Sequence, residues 1–243
     1  MPELPAQDYN ALVDAIVARL APAAAAPAPA NLAAALESTL LAADAPPAAM
    51  EQLCAEAVRL GCAAVCVNPV HIARVVAALR GGPVRAVAAV NFPLGAGLSP
   101  AVLREAEECL KLGADDLDLV APLAALRAGD DAAFLAVVAP VAAAAHACGA
   151  QVKVILEMAL LTPAEVARGC ELALAVGADF LKTGTGFGLR GVTVEDVALL
   201  RATLAGRARI KAAGGIRTRA QAGALLAAGA ARLGASAAAV LLA

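Results

Sequence analysis

Short apolar runs recur along the chain and alternate with stretches of helical spacing. The runs are Leu32–Leu36, Ala63–Val67, Val84–Val90, Asp116–Val120, Gln151–Leu156, Ala178–Lys182, Ala208–Ala212 and Ala231–Ala235. Apolar residues three and four apart predict helices over Met50–Leu60, Ser99–Leu112, Pro163–Val176 and Thr193–Leu204. Glycines 61, 113, 177 and 229 close the helical stretches, where a left-handed cap leads into the next run. Strand and helix in strict alternation predict parallel strands with helical crossovers. Eight such units in a 243-residue chain fit a single (β/α)8 TIM barrel, for which about 250 residues is typical. An open doubly wound sheet is the alternative, but no Gly-x-Gly-x-x-Gly follows the first run.

The first thirty residues stand apart. Leu12, Ile16, Val17 and Leu20 predict a short amphipathic helix over residues 8–20, followed by an Ala/Pro-rich arm through Ala30. The expected division is therefore a helical extension and arm over 1–30 and the barrel over 31–243.

In a TIM barrel the chemistry sits at the C-terminal ends of the strands. The polar residues there are Glu37, Thr39, Cys66, Asn68, Asn91, Asp118, Glu157, Lys182, Lys211 and Ser236. Lys182 and Lys211 stand out, because each ends an apolar run and precedes a turn of small residues. A buried ammonium is costly unless something uses it. Two amines facing one cavity repel, and repulsion and desolvation both favour a neutral, nucleophilic lysine, as a Schiff-base enzyme requires. Period-two alternation puts Asp116 and Asp118 on one face of their strand, and Lys153 and Glu157 on one face of theirs. Asp118 could shuttle protons with Lys211 or form a buried structural pair with it. Lys153 could hold substrate or form a charge pair near the barrel floor. The turns after Lys182, after Lys211 and around Gly234–Ala237 suit a phosphate, because glycine lets backbone N–H groups approach an anion closely.

Composition narrows the function classes. The net charge of −2 and an aromatic content of 2% argue against a nucleic-acid surface. A 61% hydrophobic fraction suggests a membrane protein, but alanine inflates it. The longest stretch without Asp, Glu, Lys or Arg, residues 132–152, contains a proline, a histidine and a glycine, and reads as helix then strand. The start of the chain lacks a basic segment with an apolar core, so no secretory signal is expected. Six cysteines without a Cys-x-x-Cys pair, and two histidines, predict buried thiols in a reducing cytoplasm and no metal site.

The run Lys182-Thr183-Gly184-Thr185-Gly186-Phe187, followed by Lys211-Ala212-Ala213-Gly214-Gly215-Ile216-Arg217, resembles the deoxyribose-phosphate aldolase family. So do Leu53–Ala57, Val65–Pro69, Asn91–Gly95, Gly113–Val120 and Lys153–Glu157. The resemblance runs in order from about residue 32 to 240. It implies a class I aldolase without metal or cofactor, which reversibly cleaves 2-deoxy-D-ribose 5-phosphate into glyceraldehyde 3-phosphate and acetaldehyde. Lys182 would form the Schiff base, and Lys211 would depress its pKa. Asp118, with Lys211 and a water, would move protons between imine and enamine. Gly186, Gly214, Gly215, Gly234 and Ser236 would hold the phosphate. Thr39, Cys66, Lys153 and Thr185 complete the expected substrate contacts. Expected partners are the sugar phosphate, acetaldehyde and further copies of the chain, as a dimer or tetramer, with no nucleic acid and no membrane.

Three departures from the family bear on substrate preference. Glu37-Ser38 stands where the family often has Asp-His. Gly184 stands where a serine is usual, and Ala237 where a second serine is usual. The competing readings are another lysine Schiff-base aldolase with a different acceptor, and a non-catalytic sugar-phosphate-binding barrel. The second has no need for a buried pair of amines.

Overall fold

The computed structural model describes residues 31–243. The predicted helix over 8–20 and the arm through residue 30 lie outside the described residues. Eight parallel strands close into a barrel in sequence order. They are β1 (Leu36–Leu40), β2 (Ala64–Val67), β3 (Arg85–Val90), β4 (Asp116–Val120), β5 (Gln151–Ile155), β6 (Phe180–Lys182), β7 (Arg209–Ala213) and β8 (Arg232–Ala235). The main crossover helices are α1 (Pro47–Leu60), α2 (Ile72–Leu79), α3 (Ser99–Lys111), α4 (Leu123–Ala128), α5 (Asp131–Ala147), α6 (Pro163–Ala175), α7 (Val194–Leu204), α8 (Arg219–Ala228) and α9 (Ala238–Leu242). Parallel pairing of β1 with β8 completes the closure and excludes the open sheet.

Local signals set these elements. Thr162, Thr193 and Thr218 cap α6, α7 and α8, each in a reciprocal capping box with the residue three positions on. Gly61 ends α1 with φ of 71°, a conformation that costs a residue with a Cβ energy. The region 132–152 is spanned by helix α5 and the start of β5, as expected. Among the described residues no helix is long and apolar enough to cross a membrane.

The first strand departs from expectation. Ala33–Ala35 form a 3-10 turn, and β1 begins at Leu36, so Glu37 and Thr39 lie within the strand rather than after it.

Alternation along the strands separates two environments. Outward residues such as Leu36, Val65, Ala88, Leu117, Val152, Leu181 and Leu233 join the helices in one apolar core. Inside the barrel, Leu41, Ala64, Cys66, Val87 and Ala89 form a small apolar cluster. Much of the remaining interior is charged: Glu37, Asp116, Asp118, Lys153, Lys182 and Lys211 are all buried.

Candidate active site

Lys182 ends β6 and Lys211 sits at the centre of β7, directly across the ladder from it. Both ammonium groups donate to one oxygen, Asp118 Oδ2, at 2.7 Å from Lys182 and 2.6 Å from Lys211. Lys211 also donates to Glu37 Oε2. Lys153 donates to Asp116 Oδ2 at 2.9 Å, and its nitrogen lies 3.2 Å from Asp118 Oδ1 and 3.7 Å from Glu37 Oε1. The Lys153 approach to Oδ1 lacks hydrogen-bond alignment, so this buried oxygen has no donor among the described residues.

The electrostatics bear on the charge of Lys211, the expected cation beside Lys182. Burial works against the Lys211 charge, but the Asp118 and Glu37 carboxylates outweigh burial and hold its pKa above the ordinary lysine value. Lys153 is likewise pushed up, burial being outweighed by Glu37 and Asp118. Burial disfavours the Asp118 anion, yet Lys182 and Lys211 hold its carboxyl well below the usual range. In the resting site these contacts favour Lys211 as a cation and Asp118 as an anion.

Lys153 sits among three carboxylates in the barrel interior, an ion-pair arrangement that competes with holding substrate. Thr39 pairs with Cys66 across β1 and β2, and its hydroxyl donates to Glu37 O at 2.9 Å. The Cys66 thiol lies 3.8 Å from Asp118 Oδ2. Burial, then the Asp118 charge, push its pKa up to about 11, so it is a neutral contact group.

The loops after β6 and β7 meet at their glycines. Gly186 and Gly214 have φ of 87° and 109°, and a Cβ on Gly214 would lie 3.6 Å from Gly186 Cα. Gly215 and Ser236 are exposed at the same end. Gly234 is placed differently from expectation. It lies within β8, and a Cβ there would come 3.3 Å from Lys211 Cε. Its smallness makes room for the lysine inside the barrel.

Thr185 is buried, and its N–H (3.0 Å) and hydroxyl both donate to Glu157 Oε2. Glu157 leaves β5 in the left-handed region, with φ of 48°. A Cβ on Gly184 would fall 2.9 Å from Glu157 Oε1, which gives a physical reason for glycine at that departure. The Ser38 hydroxyl, at another departure, is buried without a hydrogen-bond partner, and nothing in the structure explains it.

Three further residues join the site: Glu37 and Asp116, which the sequence marks by position without a role, and Arg85, which it does not mark. Glu37 is bound directly to Lys211, and Asp116 to Lys153. Arg85 reaches Asp116 Oδ1 at 2.5 Å. Period-two alternation already sets Asp116 on the face of Asp118, and the same alternation from Thr39 points Glu37 inward; no local signal marks Arg85. Among the described residues no group of three or more His, Cys, Asp or Glu could hold a metal ion.

A family model described as DeoC/LacD family aldolase matches residues 32–243. The chain is 44% identical to the deoxyribose-phosphate aldolase of Micrococcus luteus over 219 residues, covering 88% of this chain and 96% of that one. It is 44% identical to the enzyme of that name from Thermococcus gammatolerans over 177 residues, covering 72% and 79%. A crystal structure described as a putative deoxyribose-phosphate aldolase from Coccidioides immitis superposes with a TM-score of 0.87 at 34% identity, covering 98% of this chain and 97% of that one. A structure described as a tetrameric deoxyribose phosphate aldolase from Aeropyrum pernix gives 0.82 at 30% identity, covering 87% and 89%. With two lysines and an aspartate converging inside a closed barrel, and a family match over the whole of it, the chain belongs to the DeoC/LacD family of aldolases.

Proposed function

We propose that Lys182 is the imine-forming lysine in the reaction of this aldolase, the reversible cleavage of 2-deoxy-D-ribose 5-phosphate to D-glyceraldehyde 3-phosphate and acetaldehyde. The observation that carries the assignment is the shared Asp118 oxygen. Of the two lysines bound to it, Lys211 is gripped by a second carboxylate and Lys182 is not.

The neutral Lys182 amine adds to the C1 aldehyde, and loss of water gives the imine. Removal of the C3 hydroxyl proton lets the C2–C3 bond break, with its electron pair drawn into the imine to form an enamine. Glyceraldehyde 3-phosphate leaves. Protonation of the enamine at C2 and hydrolysis then release acetaldehyde and restore Lys182. Asp118, whose Oδ1 accepts no hydrogen bond among the described residues, moves these protons, and Lys211 keeps a positive charge beside the developing negative charge. Thr39 and Cys66 line the interior wall. Thr185, fixed by Glu157, sets the loop after β6, and Gly186, Gly214, Gly215 and Ser236 offer backbone and hydroxyl donors to the phosphate.

A homo-oligomer of two or four copies belongs to the same reading, supported by the tetramer described for the Aeropyrum relative. A cytoplasmic setting does too, supported by six cysteines that are all free thiols. The test of the reaction is product identification with deoxyribose 5-phosphate and with deoxyribose. Both aldehydes are expected, with a higher kcat/KM for the phosphorylated sugar. Turnover of neither sugar would overturn the reading, and equal turnover would favour an aldolase of different acceptor preference.

A further inference from the structure

Lys182 lies at the C-terminal end of its strand, where a barrel opens to solvent, yet its side chain is only 2% exposed. Asp118 and Cys66 beside it are fully buried. The chain itself therefore covers the reacting groups. Among the described residues one pair of aromatic rings meets, Phe92 and Phe187, with centroids 5.4 Å apart and planes at 88°. Edge-to-face contact of this kind is a favoured arrangement of two rings. Phe92 follows β3 and Phe187 follows β6, three strands apart in the closed barrel. Phe92 packs on the interior cluster of Leu41, Ala64, Cys66, Val87 and Ala89, so the contact reaches across the mouth of the barrel.

The two rings are held differently. The Phe92 loop is pinned through Asn91, whose N–H donates to Glu105 Oε2 at 2.8 Å and whose side chain donates to Val120 O at 2.9 Å and accepts from Gly97 N at 2.8 Å. Phe92 is thus a fixed wall. Phe187 is 59% exposed and belongs to a short span between two anchors. Before it, Thr185 is bound to Glu157 and accepts the Phe187 N–H at 3.0 Å. After it, Arg190 binds both oxygens of Asp196, at 2.5 and 2.8 Å. Gly186 and Gly188 flank the ring. Gly186 has φ of 87°, and a Cβ on Gly188 would fall 2.5 Å from Glu157 Oε1, so only glycines allow this path of the chain. The backbone aims the Phe187 ring at Phe92 while leaving it free to be replaced without emptying the core.

The wall under Phe92 adjoins the reacting groups. Ala89 is the ladder partner of Asp118, and Cys66 Sγ lies 3.8 Å from the Asp118 oxygen that accepts from Lys182. The candidate phosphate donors Gly214, Gly215 and Ser236 follow β7 and β8, away from this wall. A sugar phosphate with its aldehyde carbon at Lys182 and its tail at those donors turns C2, the carbon next to the aldehyde, toward the wall and the rings. In 2-deoxyribose that carbon carries only hydrogens. We propose that Phe187, closed on Phe92, is a specificity-determining residue: the ring pair limits the bulk on the carbon next to the aldehyde, so that an unbranched chain reaches the Lys182 amine and a branched one is rejected. This rests on the reading of Lys182 as the nucleophile.

The test compares two aldehydes, acetaldehyde and the branched 2-methylpropanal, each trapped on the protein with cyanoborohydride and mapped by peptide mass. The aldehyde and the amine form an imine with loss of water, and hydride from the reagent reduces it to a stable secondary amine. Lys111, exposed on α3, supplies the intrinsic reactivity of each aldehyde in the same sample. Relative to Lys111, wild-type Lys182 should take up acetaldehyde in strong preference to 2-methylpropanal. Phe187→Ala should lower that preference about tenfold or more, the scale on which a packed apolar site rejects added carbon. Phe187→Val should fall between, and Leu189→Ala, an exposed change on the same loop, should keep the wild-type preference. An unmoved preference in folded Phe187→Ala overturns the proposal, and so does an equal loss in Leu189→Ala, which would assign the effect to a loosened loop. If Phe187→Ala does not fold, a wild-type preference in Phe187→Val overturns it equally. No acetaldehyde adduct at Lys182 in the wild type defeats the nucleophile assignment and the proposal together, whereas an adduct with unmoved preference defeats the role of Phe187 alone.

Discussion

Asp118→Asn is the most informative single substitution. The side chain keeps its size, but Oδ2 no longer offers a negative charge to Lys182 at 2.7 Å and Lys211 at 2.6 Å, and Lys153 loses its neighbour at 3.2 Å. Three buried ammonium groups then share Glu37 and Asp116 alone. Removing one partner of a buried ion pair costs about 3–5 kcal/mol. At about 2–4 °C per kcal/mol for a chain of this size, the melting temperature should fall by about 10 °C. The pH sign follows from the depressed Asp118 carboxyl. Its contribution is present in full above the ordinary carboxylate pKa, about 4, and is lost as pH falls through the lower folded value. Urea unfolding should therefore show a wide gap between wild type and variant at pH 7 and a narrower one at pH 3. The proton shuttle is lost at the same time, so kcat should drop about 100- to 10,000-fold, with KM changed much less. A folded variant that retains more than a tenth of wild-type kcat would show that protons move through another group.

Three further substitutions test neighbouring parts of the account. Lys211→Leu should fold and lose at least about 100-fold in kcat. Because the Lys211 pKa is raised, its stabilisation is full below the ordinary lysine value, so the stability deficit should be constant from pH 6 to 9 in urea titrations; a wild-type rate would make Lys211 structural only. Gly184→Ser, restoring the residue usual in the family, should cost about 1–3 kcal/mol by calorimetry, because its Cβ would fall 2.9 Å from the Glu157 carboxylate that holds Thr185; an unchanged melting temperature would show that Glu157 moves freely. Ala237→Ser should lower KM for deoxyribose 5-phosphate several-fold by adding one hydrogen bond of about 1 kcal/mol, leaving kcat and the unphosphorylated sugar nearly unchanged. An equal effect on both sugars would place residue 237 away from the phosphate.

The barrel was legible because its strands are apolar on the helix-facing side and its helices carry their own caps. Seven strands fall close to their apolar runs. The first does not, for a physical reason: Leu32–Leu36 is the more apolar segment, whereas β1 carries Glu37, Ser38 and Thr39. Hydropathy counts Glu37 against a strand, but its charge is met by Lys211, 174 residues further along the chain. Lys182 and Lys211 were legible because a charge that ends an apolar run and precedes glycines is costly to bury unless chemistry uses it. The rest of the network was not, because Arg85, Asp116 and Glu37 acquire partners only when strands distant in sequence are brought side by side. Gly234 was legible as a small residue but not as the space that Lys211 occupies.

The central claim is that Lys182, and not its equally buried neighbours, carries the imine. Incubation with acetaldehyde and borohydride, followed by peptide mass mapping, tests it most directly. The account predicts one ethyl group, on the peptide containing Lys182, and loss of activity in proportion to labelling. An ethyl group on Lys211 or Lys153 instead, or an active enzyme that traps nothing, would contradict it.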